Sequence, residues 1–159
     1  MPLPIPSLTL ISAALVAVLL AGAPARAEDI DALPSSVTFV TSTGYWEDAA
    51  EVGTAQPPRK GYYKLVAIRQ ADRTAKIFLQ QIASTDDGPI VVSSVEVEEL
   101  TQLKPFVTDM RPESSSGVTN QPGMFATVYL KTESQAKEAE SWTVMIDDLG
   151  EMIVEKATN

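Results

Sequence analysis

The strongest apolar pattern of the chain lies at residues 61–83, GYYKLVAIRQADRTAKIFLQQIA, where apolar and polar positions alternate only imperfectly and Ile77 and Phe78 are adjacent. Two apolar runs, 62–68 and 77–82, are rich in Tyr, Val, Ile, Leu and Phe, and the polar break at 69–74 has room only for a turn. This pattern predicts a β-hairpin with strands longer than the usual five or six residues. Tyr63 and Leu65 point one way and Val66 and Ile68 the other, so apolar side chains occupy both faces. Strands of that kind belong at the centre of a sheet, covered on each side for part of their length.

The flanking segments extend the β pattern. Residues 37–41 form a short β-prone run, and Thr43-Gly44 predicts a turn into a second short strand, Tyr45-Trp46-Glu47. A loop over 51–60 is stiffened by Pro57 and Pro58. After the hairpin, Asp86-Asp87-Gly88 predicts a turn, Pro89 opens a strand over 90–95, and Ser93-Ser94-Val95-Glu96 has capping-box spacing. That spacing predicts a short helix over 96–104, with Val97, Leu100 and Leu103 along one side and Pro105 ending it. Residues 106–110 return to extended structure, and 111–123 is the longest polar stretch, expected as an exposed loop. Met124–Lys131 alternates as a strand. Thr132-Glu133-Ser134-Gln135 repeats the capping pattern ahead of about two expected turns of helix over 136–140. Trp142, Val144 and Ile146 then alternate with polar or flexible neighbours, and Asp148-Leu149-Gly150 turns the chain so that Met152 and Val154 can face Ile146 and Val144.

Seven or eight strands joined mostly by short turns, with no long alternating helix, predict a mainly β fold with an antiparallel sheet. The expected form is a small antiparallel barrel or strongly curved sheet with one or two short helices. No internal repeat is apparent in the sequence, and no low-complexity tract beyond Ser114–Ser116.

Residues 1–27 change the picture from fold to address. The stretch 8–20 is almost wholly apolar, Gly22 and Pro24 interrupt it, and Ala25-Arg26-Ala27 places small residues at both cleavage positions. This predicts a secretory signal peptide cut before Glu28. A retained anchor is the alternative, but the run is shorter than the roughly 20 residues that cross a bilayer. The segment 28–36 reads as a flexible lead-in and 37–159 as a single β-rich domain, with no membrane span after cleavage. Arg26 is the leader's one charged side chain, so its loss takes the net charge from −9 to −10. Nucleic acid and anionic lipid are poor partners for such a chain. There is no cysteine, which suits a bacterial periplasm or medium better than an animal exterior.

Candidate chemistry is narrow. With neither His nor Cys, a Ser-His-Asp triad, a thiol nucleophile and the usual zinc or copper ligands are all impossible. What remains is a carboxylate pair, a Ser–Lys couple, Tyr, or an oxygen-only metal site. Asp147-Asp148 with Glu151, and Asp86-Asp87, lie at turns and lack the spacing of a calcium loop. Ser114-Ser115-Ser116-Gly117, with Lys104 or Lys131 as base, lacks G-x-S-x-G, and the chain has no S-x-x-K. No catalytic residue, metal ligand or cofactor is therefore assigned. Gly44-Tyr45-Trp46 resembles the G-x-W near the first strand of lipocalins, small β-barrels that bind apolar ligands. The resemblance covers three residues; the T-D-Y motif and the disulfides of that family are absent.

Tyr45, Trp46, Tyr62 and Tyr63 gather around the first strands, and Arg111 and Ser115 lie in the long polar stretch. Tyr45, Trp46, Tyr62, Arg111 and Ser115 are the expected contacts for a ligand or partner, since aromatic and Arg side chains on exposed connections commonly anchor interfaces. The functional expectation is an exported, non-catalytic β-module that binds an envelope protein or a small apolar ligand. Its rivals are a carboxylate-dependent envelope hydrolase and a structural accessory protein without a ligand.

Overall fold

Backbone pairing follows the alternation just described. The computed structural model describes residues 30–49, 57–113 and 122–158. Strands β1 (Val37–Glu47), β2 (Lys60–Arg69), β3 (Ala75–Thr85) and β4 (Gly88–Glu96) form one antiparallel sheet in chain order. After the short helix α1 (Glu98–Thr101), strands β5 (Phe106–Pro112), β6 (Met124–Lys131), β7 (Glu140–Ile146) and β8 (Met152–Lys156) form a second, also in chain order. The protein is thus mainly β, built of two four-stranded meanders; among the described residues the pairing closes no barrel.

The central hairpin holds the middle of the first sheet, in continuous register from Gly61 opposite Ala83 to Arg69 opposite Ala75. Its alternation decides what is buried. Leu65, Ala67, Ile77 and Leu79 face inward, while Tyr62, Val66, Ile68 and Phe78 are half-exposed on the other face. Ala126, Val128, Leu130 and Val144 of the second sheet join the same apolar cluster, so both sheets share one core. The C-terminal hairpin has the expected register, with Ile146 opposite Met152 and Val144 opposite Val154.

Among the described residues, two main-chain links join the meanders. Tyr45 and Gly123 exchange hydrogen bonds of 2.9 and 2.8 Å, and the Ala75 amide donates to the Pro105 carbonyl at 2.8 Å. The division of the chain falls between residues 32 and 33, and both sheets belong to the second unit. The first is described only over Ile30–Ala32, a single 3-10 turn. At the end of the expected lead-in, the Ser36 carbonyl accepts from the Arg69 amide at 2.7 Å. The signal-peptide segment 1–27 lies outside the described residues.

Three local expectations are corrected. Gly44 does not turn the chain between two strands; at φ 77° it forms a bulge within the continuous β1. A Cβ there would lie 2.3 Å from the Gly123 carbonyl oxygen, so the residue also permits the Tyr45–Gly123 link. Ser93 and Ser94 do not cap a helix. They lie in β4, where their hydroxyls meet Gln81 and Gln80 on the neighbouring strand. The helix covers four residues, Glu98–Thr101, and its N-cap Val97 donates its amide to the Ile77 carbonyl on β3 at 2.8 Å. Thr101 fastens the other side, its hydroxyl accepting from the Ile77 amide at 3.2 Å. The second expected helix does not form: residues 132–139 make turns and bends, and Glu140 already belongs to β7. A segment that short has too few hydrogen bonds to offset helix nucleation.

Candidate functional site

Trp46 and Gly61 face each other across β1 and β2 and shape one end of the first sheet. A Cβ on Gly61 would lie 1.8 Å from the Ile82 carbonyl oxygen, so only glycine fits at this close approach. The Trp46 indole occupies the adjoining space. Its Nε1 donates to the Ile82 carbonyl at 3.0 Å and to the Tyr62 carbonyl at 3.2 Å. Trp46 is only 3% exposed. Its indole therefore belongs to the core and ties β1 to both β2 and β3.

Above this arrangement lies an open cleft of about 520 Å³, lined by Tyr45, Glu47, Lys60, Gly61, Tyr62 and Ser84. Antiparallel register creates it. Glu47 pairs with Lys60, and because Gly61 pairs with Ala83, the neighbouring Lys60 comes level with Ser84. The bulge at Gly44 shifts the register between Thr43 and Trp46, which brings Tyr45 to the same cleft as Glu47. The Tyr45 hydroxyl donates to Glu47 Oε2 at 2.5 Å. That hydrogen bond, followed by desolvation and the carboxylate's charge, pushes the phenol pKa above its ordinary value. Tyr45 is therefore a neutral donor already engaged by Glu47. Lys60 makes no ion pair among the described residues.

Tyr45 and Tyr62, expected as contacts, are thus brought together in one cleft. Trp46 lies beneath them in the core. Arg111 is not among the residues lining this cleft. It stands on β5, where its Nε donates to Asp109 Oδ2 at 2.6 Å and its guanidinium sits 5.4 Å from the centre of the Tyr129 ring. Ser115 falls outside the described residues. Lys60 and Ser84 were missed by the sequence reading. Lys60 carried a signal, as a cation two residues before the apolar run that begins at Tyr62; Ser84 carried none before the register was known.

Among the described residues, Glu47 is the one carboxylate lining this cleft. Among the described residues no group of three or more acidic side chains is placed to hold a metal ion. No helix of the described residues is long and apolar enough to cross a membrane. No family model, no curated protein and no solved structure matches this chain.

Proposed function

We propose that the protein is an exported, non-catalytic β-module of the bacterial cell envelope, and that it binds a partner protein through the Tyr45–Tyr62 cleft. The observation that carries this reading is the convergence of two tyrosines, Lys60 and Ser84 on one open concavity. Its volume lies within the range of small-molecule and side-chain pockets, roughly 300–1,000 Å³. Tyrosines offer large, rigid contact area with a polar tip, which suits them to partner recognition. An open trough suits an extended segment of a partner better than it suits an enclosed apolar ligand. In the same proposal the two meanders bend around their common core as a strongly curved sheet that holds the cleft rigid. Export rests on the apolar leader and its Ala25-Arg26-Ala27 end.

The hydrolase reading requires paired carboxylates with separated pKa values around a reacting bond, and among the described residues this cleft is lined by one carboxylate, Glu47. The test is retention from envelope extracts by the parent protein and by Tyr62→Ala. The parent should retain a defined component that the variant loses while keeping its melting temperature. Turnover of a glycan, peptide or ester substrate that disappears on Glu47→Gln would replace this proposal with the hydrolase.

A further inference from the structure

At the opposite end of the first sheet lies a smaller cleft of about 170 Å³, lined by Thr38, Arg69, Arg73, Ala75, Phe106 and Val107. Tyr62 and Arg69 are seven positions apart on β2, so the two clefts are separated by roughly 23 Å of extended chain. Two arginines line this small space in a protein of net charge −9. Elsewhere, Arg59, Lys76, Arg111 and Lys156 are ion-paired, with Asp48, Glu96, Asp109 and Glu140 respectively. Arg69 and Arg73 have no such partner among the described residues.

The nearest acid along the chain, Asp72, is directed elsewhere. Its Oδ1 accepts from the Thr74 hydroxyl at 2.6 Å and from the Thr74 amide at 3.0 Å. Arg73 also sits at φ 71°, in the left-handed region that favours glycine. Holding a non-glycine residue there costs of order 1 kcal/mol, so a long cationic side chain stands where the backbone favours none. Phe106 and Val107, at the start of β5, add apolar residues to the lining of the same cleft.

We infer that this cleft binds a carboxylate carried on a small apolar body. Arginine's planar fork matches a carboxylate through two parallel hydrogen bonds, and the apolar body would cover Phe106 and Val107. The volume decides the size class. It falls below the roughly 300 Å³ at which pockets for drug-sized ligands begin, leaving room for one ring or one branched side chain but not for a nucleotide. The same chemistry comes from a free carboxylic acid or from the C-terminal residue of a polypeptide.

Titration of the purified protein with benzoate, N-acetylphenylalanine, benzamide and inorganic phosphate, followed by amide NMR, tests the inference. Benzoate, N-acetylphenylalanine or both should shift the Thr38, Ala75 and Val107 amides saturably, with benzamide and phosphate clearly weaker. Response to benzoate alone assigns a free acid, and response to the acylated amino acid alone assigns a chain terminus. The double variant Arg69→Gln, Arg73→Gly should weaken binding at least about tenfold, the scale of a lost charge-assisted hydrogen bond. It should stay folded, because glycine suits φ 71° and the Arg69 amide still reaches Ser36. Absence of a saturable shift would overturn the site. So would equal response to benzamide or phosphate, or undiminished binding by a folded double variant.

Discussion

The two meanders share a strand order but not a regularity. In the first, the register shifts at three places, between Val37 and Phe39, Thr43 and Trp46, and Gln81 and Ile82. In the second it shifts once, between Val107 and Asp109. Strands of the first sheet run 9–11 residues and those of the second 5–8. Bulges bend a strand and re-aim its side chains, and both clefts are lined mainly from the first sheet. The second sheet supplies regular inward packing, from Ala126, Val128, Leu130 and Val144. Regularity makes the core, and departures from it make the clefts.

The sharpest way to break the second sheet's role is Val144→Asp. Val144 is fully buried in the shared core, so a carboxylate there would lack both water and a partner. The expected loss is at least about 4 kcal/mol. A variant that unfolds with the parent's denaturant midpoint would contradict the common core. In the first sheet, Gly61→Ala should cost about 3 kcal/mol or more, because the methyl meets the Ile82 carbonyl backbone rather than a flexible side chain. Urea denaturation reads the effect, and a loss below about 1 kcal/mol would place β2 and β3 farther apart than described.

Trp46→Phe keeps most of the apolar volume and removes the indole donor to the Ile82 and Tyr62 carbonyls. A loss of about 1–2 kcal/mol is expected. An unchanged midpoint would reduce Trp46 to plain packing. The smallest effect belongs to the second sheet's edge. The Glu140 carboxyl is held below the usual carboxylate range, first by its hydrogen bond from Lys156, then by that from the Trp142 indole. Folding therefore favours the ionised form. Its contribution is complete above the unfolded carboxylate pKa, roughly 4.3, and is lost as pH falls through the lower folded value. The pair is exposed, so the effect is small. Any melting-temperature gap between the parent and Glu140→Gln at pH 7 should close towards pH 3, and a gap that widens on acidification would contradict the pairing.

The same contrast explains what was legible beforehand. In Met124–Lys131 and Met152–Lys156 the residues at every second position, Met124, Ala126, Val128 and Leu130 and then Met152 and Val154, were enough to give the strands and the pairing of the C-terminal hairpin. At Gly44 one residue is consistent with a turn or a bulge, and the choice rests on the approach of Gly123, far away in sequence. Ser93 and Ser94 carried a helix-start pattern that lost to cross-strand partners on β3. Tyr45 and Tyr62 were visible as an aromatic group, whereas Lys60 and Ser84 join them only through pairing across three strands. The Arg69, Arg73 and Phe106 grouping was invisible for the same reason, as it needs a hairpin turn set beside the start of β5.

The four tyrosines make the most direct test of the proposed cleft, because two line it and two serve as references. Tyr63 is buried in the shared core, and Tyr129 lies beside Arg111 in the second sheet. Protein carrying 3-fluorotyrosine gives one fluorine resonance per site, assignable by single Tyr→Phe replacements. On addition of the component retained from envelope extracts, the Tyr45 and Tyr62 resonances should move together and saturate, while those of Tyr63 and Tyr129 stay in place. Movement of Tyr129 with Tyr45 and Tyr62 unchanged would contradict the account and place recognition on the second sheet.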